Sequence, residues 1–238
     1  MQQPKIIYED DVVIVCHKPA GLATQTRRLG QPDMESFLKN HVALAGNSTG
    51  RGVLPYIGIV HRLDQPVEGV MVFAKTPKAA ADLSDQVRTH SFGKKYYALV
   101  ELPENVADFT KASGLPESGT LEDWILFEKA KNTSAVVPEK TSGAKRGILD
   151  YQVLGQKNAR ALLDITLHTG RHHQIRVQLA HLGTPICGDR KYGKAVSGSP
   201  ALCSYHIDFE HPVDGRRMAF GIVPENVLFH GFEPYVKP

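Results

Sequence analysis

Few of the usual chemical handles are present in this chain of 238 residues. It has three cysteines, one tryptophan and four methionines. Cys16, Cys187 and Cys203 are odd in number and form no Cys-x-x-Cys pair, which argues against a disulfide framework or a thiolate metal site and for a reducing compartment. A glycine-rich phosphate loop and a His-Glu-x-x-His zinc motif are both missing. In the N-terminal segment the longest apolar run is the five residues Val12 to Cys16, preceded by the acids Glu9 to Asp11, so neither a secretory signal nor a membrane span is expected there. Charge of one sign is also lacking. The 28 Lys and Arg against 25 Asp and Glu give +3, mildly basic and compatible with nucleic acid without demanding it.

A globular composition is what remains, with 42% hydrophobic and 22% charged residues. Ile6 to Tyr8 and Val12 to Cys16 read as short strands, and 33–45 as a helix capped by Asp33. Residues 46–52 read as a polar loop. Gly69 to Lys75 is apolar and β-favouring, and Thr76-Pro77 should open a helix to about His90, with a hydroxyl cap and proline at its first position. Residues 94–100, 119–128, 147–154 and 159–168 read as strands, with a polar, mobile loop at 129–146. No fixed-period repeat or low-complexity linker interrupts them. Strands outnumber helices without alternating with them, which predicts one α+β domain over 1–238 with a largely antiparallel sheet.

Two stretches break local rules. In His61-Arg62-Leu63-Asp64-Gln65-Pro66 a cation, a carboxylate and a proline follow the apolar run Ile57 to Val60. If that run is a strand, Arg62 and Asp64 share a face, and Pro66 stops the strand near Asp64 with a turn at Val67 to Gly69. Asp64 then stands at a strand-to-loop edge, where chemistry is common, although a surface Arg62–Asp64 ion pair without a role fits the same spacing. The second stretch is 169–183, TGRHHQIRVQLAHLG, a helix ending at Gly183. Its first turn would be Arg171-His172-His173, the wrong charge for a helix start unless an anion such as phosphate is held there. His168, His172, His173 and His181 also crowd together, so a metal site is a competing reading, but no spacing completes a shell. Lys94-Lys95, Lys140 to Arg146 and Arg190 to Lys194 are further basic points for a nucleic-acid face.

The stretches YEDDVVIVCHKPAG, GIVHRLDQPVEGVMVFAKT, KKYYALV and TGRHHQIRVQLAHLGTPICGDRKYG, in that order, resemble the successive motifs of the RluA-type RNA pseudouridine synthases from about Lys5 to Val223. The resemblance implies a mixed, mostly antiparallel sheet with flanking helices and a central active-site cleft. It implies isomerisation of uridine in RNA, in a tRNA or rRNA stem-loop, without cofactor or metal, by a cytoplasmic monomer that does not touch membranes. Carried over by position, Asp64 is the catalytic aspartate, Tyr96 the active-site tyrosine and Arg176 the basic residue expected to pair with the aspartate. Arg62 would help fill the space left by the flipped base, and Leu202 would pack near the tyrosine. His61, Arg171, His173 and Lys94 complete the expected RNA-binding set. Three departures stand out: Val67-Glu68 where the family has Thr-Ser, Gln178 for a common histidine, and Cys203-Ser204 for a usual His-Ala. Glu68 keeps open a second reading, a catalytically inactive RNA-binding relative. The chain begins directly at the catalytic region, so recognition without an extra N-terminal RNA-binding domain is expected.

Overall fold

A computed structural model of the chain describes residues 3–26, 28, 30–47, 55–103 and 115–238. The chain divides into two compact units, Met1–Phe92 with His206–Ile222 and Pro238, and Gly93–Tyr205 with Val223–Lys237. The α+β, largely antiparallel reading holds in both.

The first unit contains strands β1 (Lys5–Glu9), β2 (Val13–Lys18), β3 (Gly58–Ile59) and β4 (Glu68–Ala74), with helices α1 (Met34–Asn47) and α2 (Pro77–Arg88). Antiparallel pairing sets β2 between β1 and β4, with Lys18 opposite Gly69 and Val13 opposite Ala74. Both β2 and β4 are buried at every position, which explains why they read as continuous apolar runs rather than alternating ones. Val13, Val15, Val70, Val72, Leu83 and Phe92 form the core with Ile207 and Phe209. The Thr76 hydroxyl accepts from the Ala79 amide, and Pro77 opens α2 as the sequence predicts. Asp33 caps α1 by accepting from the Ser36 amide, 2.8 Å away.

The second unit is a run of antiparallel strands: β5 (Gly93–Glu101), β6 (Ser118–Glu128), β7 (Thr133–Val137), β8 (Lys145–Lys157) and β9 (Arg160–Leu167), in the order β5-β9-β8-β6-β7. Helix α3 (Gln174–His181) follows. Strand β10 (Leu202–Glu210) runs from the second unit into the first, where it pairs with β11 (Arg217–Gly221). Among the described residues no helix is long and apolar enough to cross a membrane.

The structure corrects several sequence expectations. The run at 57–64 is strand only at Gly58–Ile59, and Arg62 and Asp64 stand in irregular chain. The turn comes earlier than Val67, with the Val67 amide donating to the Asp64 carbonyl, and Glu68 already belongs to β4. The span 129–146 is not one loop: Thr133–Val137 pairs with β6 as a hairpin, turned at Asn132 in the left-handed conformation. The β-branched Val136-Val137 carried that signal amid the polar residues. Residues 46 and 47 belong to α1, and the rest of the loop expected at 46–52 lies outside the described residues. Arg171 to His173 precede α3 rather than forming its first turn.

Candidate active site

In the first unit, the geometry around Asp64 is set by backbone restraints on either side of it. Buried Thr24 closes a two-way clamp on Leu63: its hydroxyl donates to the Leu63 carbonyl at 3.0 Å and accepts from the Leu63 amide at 3.3 Å. On the other side the Gln65 carbonyl accepts from the Gly21 amide at 2.8 Å and from the Lys18 ammonium at 3.2 Å. Both backbone groups of Leu63 and the carbonyl of Gln65 are thus held on either side of Asp64, which is itself half-buried. Arg62 is exposed and lines a cleft rather than pairing with Asp64. His61 does a structural job, since its Nε2 accepts from the Val72 amide at 3.1 Å while its ring lies against Phe92.

Removing the clamp should be measurable. Thr24→Val keeps the side-chain shape but leaves both backbone groups of Leu63 without their partner, at a cost of about 1–3 kcal/mol. Urea denaturation of the variant is expected to show a loss in that range, and an unchanged midpoint would refute the clamp.

Lys18 is fully buried at the end of β2. Its ammonium donates to the carbonyls of Pro19, Leu22 and Gln65 at 3.1, 2.7 and 3.2 Å. Burial lowers its pKa to about 7, and the negative charges of Asp64 and Glu68 offset part of that loss. Glu68 is thus not a surface charge. It is buried at the start of β4 with its Oε2 3.9 Å from Nε2 of buried His17.

The unfolded chain holds a proton on this lysine up to about pH 10.5, the folded chain only up to about 7. Between those values the unfolded state binds more protons, so Lys18 makes stability rise with pH across the window. Comparing denaturation free energies at pH 7 and 9.5, the wild type should gain stability relative to Lys18→Met. Parallel pH profiles for the two would contradict the assignment.

In the second unit, Tyr96 is buried on β5 and Leu202 is buried at the start of β10. Arg176, on α3, makes a bidentate contact with Asp189, Nε to Oδ2 at 2.7 Å and Nη2 to Oδ1 at 2.9 Å. Asp189 Oδ1 also accepts from the amides of Lys191 and Tyr192. Burial alone would raise the Asp189 pKa, but these donors outweigh it and hold the carboxyl below its usual value. The Arg176 guanidinium stands 5.2 Å from the centre of the Tyr192 ring, a cation–π contact. A Cβ on Gly193 would come 2.7 Å from the Asp189 carbonyl oxygen, so only glycine lets this loop close.

Side-chain hydrogen bonds order the segment ahead of α3. His173 takes the left-handed conformation at the helix cap without a side-chain cap bond. Gln174 reaches back instead, its Oε1 accepting from the Arg171 amide at 3.0 Å and from the Thr169 hydroxyl at 2.8 Å. The half-buried Arg171 donates through Nε to the Arg146 carbonyl. Among the clustered histidines, His168 pairs with Asp150 and His172 with Ser134, while His173 meets the Tyr192 hydroxyl and its ring centre lies 3.7 Å from that of His172. Lys94 is buried, its pKa lowered by desolvation, whereas Lys95 is the exposed cation of β5.

Sequence reasoning therefore missed Thr24, Lys18 and Asp189. Asp189 was visible as the acid immediately before the run Arg190 to Lys194, which was read for its cations.

Comparison with known proteins places this geometry. The profile of the RNA pseudouridylate synthase family matches residues 12–181. Ribosomal large subunit pseudouridine synthase D of Pseudomonas aeruginosa is 30% identical over 94% of this chain and 70% of its own length. The protein of the same name from Nitrosomonas europaea is 33% identical over 89% of this chain. The chain spans 59% of the length of the Nitrosomonas protein and 68% of that of the Zymomonas mobilis one. The solved structure of human RNA pseudouridylate synthase domain containing 4 superimposes with a TM-score of 0.73 at 21% identity, covering 98% of this chain and 94% of that one. Fold and sequence agree, and the chain belongs to the RNA pseudouridylate synthase family.

Proposed function

We propose that this protein isomerises uridine to pseudouridine in ribosomal large-subunit RNA, with Asp64 as the nucleophilic carboxylate. The observation that carries the reading is the restrained chain around Asp64, where Thr24 fixes the residue before it and Lys18 and Gly21 the residue after it. A carboxylate whose backbone is held on both sides, with its side chain half-buried, suits attack on a sugar presented by the RNA. The reaction breaks the bond from the sugar C1′ to N1 of uracil and forms one to C5. The proton on C5 is released and N1 gains one. No electrons are transferred and nothing is consumed, so the chemistry calls for neither a redox cofactor nor a metal.

The resemblance gives Tyr96 the role of the active-site tyrosine and Arg176 that of the basic residue beside the reacting carboxylate. Exposed Arg62 suits the role of filling the stack when the base is flipped. Similarity to ribosomal large subunit pseudouridine synthases supports the ribosomal target, and the chain is taken to act as one catalytic domain, as a monomer, in the cytoplasm. Tritium release separates the substrates. Purified protein should release tritium from large-subunit ribosomal RNA labelled at uridine C5, and not from tRNA transcripts. Release from tRNA alone would move the target, and release from no RNA would favour the RNA-binding relative without activity.

A further inference from the structure

In the first unit an open cleft of about 350 Å³ lies between residues 23–26, 28 and 31 and the loop that carries Asp64. Ala23, Thr24 and Leu63 form its floor, and Gln25, Thr26, Arg28, Gln31, Arg62 and Gln65 supply its polar wall. Among the described residues, two guanidinium groups and three side-chain amides line it, and no carboxylate does. Its volume is at the low end for small-molecule sites, about 300–1,000 Å³, enough for one nucleotide and too little for a duplex.

The walls are fixed to one another. Thr24 clamps Leu63 across the floor. Asp33 accepts from the Thr26 amide at 2.7 Å while capping α1, and the Thr26 hydroxyl accepts from the Arg28 amide. The cleft is thus organised before any ligand arrives, and the residue after its floor residue Leu63 is Asp64.

We infer that this cleft is a subsite for the nucleotide adjoining the target uridine, with Arg28 holding its phosphate and Gln31 reading its base. The inference rests on the proposed uridine isomerisation. Arg62, which would occupy the space of the flipped base, forms one wall, so the cleft receives the neighbour of that space. Guanidinium groups suit phosphate oxygens, and side-chain amides suit the exposed edges of an unpaired base. Arg28 is exposed and is not part of the reacting group, so its removal leaves the fold intact.

The test uses fluorescent hexauridylate and the full chain. Arg28→Ala should weaken binding about tenfold at fixed salt and lower the salt slope by roughly 0.7, the value for one phosphate of a single strand. Gln31→Ala should weaken binding several-fold with the slope unchanged. Lys78→Ala, an exposed cation on α2 of the same unit, should change neither. Hexauridylate containing 4-thiouridine should crosslink to peptide 23–31 on irradiation. Wild-type affinity and slope in Arg28→Ala, or equal losses in Lys78→Ala, would overturn the subsite, as would crosslinks confined to other peptides. Circular dichroism confirms that the variants are folded. The underlying reading fails separately: wild-type protein that releases no tritium from C5-labelled RNA loses the isomerase assignment, whereas full turnover with an indifferent Arg28 loses the subsite alone.

Discussion

Asp64→Asn is expected to lower the single-turnover rate of pseudouridine formation by more than about a thousandfold, in keeping with the loss of a nucleophile, while RNA affinity stays within a few-fold of wild type. The substitution keeps size and shape, and the restraints named on the loop act on its backbone: Thr24 holds the backbone of Leu63, and Lys18 and Gly21 hold the carbonyl of Gln65. The variant should therefore fold and bind as the wild type does, since phosphate contacts dominate affinity for RNA. What it loses is the anionic oxygen. Retained turnover would remove Asp64 from the chemistry, and a parallel collapse of binding would mean that the residue serves recognition instead.

The second large effect is on stability. Arg176 and Asp189 form a bidentate pair in which the two side chains are only 4% and 0% exposed. Asp189→Ala strips the guanidinium of that partner in a place where water cannot replace it, and the Lys191 and Tyr192 amides lose an acceptor too. Breaking one side of a buried pair typically costs about 3–5 kcal/mol. Chemical denaturation should show a loss of that size. The double variant Arg176→Met with Asp189→Leu should recover much of it, because a buried pair replaced whole by apolar groups is often nearly neutral. A double variant as unstable as the single one would show that the loop depends on Asp189 through its amide bonds, not through Arg176.

How far the sequence disclosed this architecture depends on how local each cause is. Helix α2 is written in adjacent residues, a hydroxyl cap and a proline, and it starts where they put it. The β4 strand is a run of apolar residues buried at every position, and burial of that kind leaves a continuous signature. The stretch from Val60 to Asp64 was misread as strand because its conformation is imposed from far away. Thr24 lies 39 residues before Leu63, and Lys18 lies 47 before Gln65. No window of sequence contains both partners.

Lys18 carries no sequence signal of its role, because lysine is ordinarily exposed. Its burial follows from three carbonyls converging on one point, which is a property of the fold. Glu68 raised doubt as a negative charge near the reacting carboxylate. In the structure it lies buried beside His17, and its charge falls on Lys18 together with that of Asp64. Helix α3 starts three residues later than read, because nothing in the adjacent residues announces the backbone at His173, which turns left-handed just before the first helical residue.

One measurement bears most directly on the account. Large-subunit ribosomal RNA transcript, free of modifications, is incubated with purified wild-type protein and with Asp64→Asn at matched salt. Pseudouridine is then mapped by carbodiimide adducts that survive alkaline treatment. The account predicts one or a few uridines converted stoichiometrically by the wild type, each in a loop or bulge where the base can leave the stack, and none converted by the variant. Binding of the transcript without a single converted uridine in the wild type would contradict it.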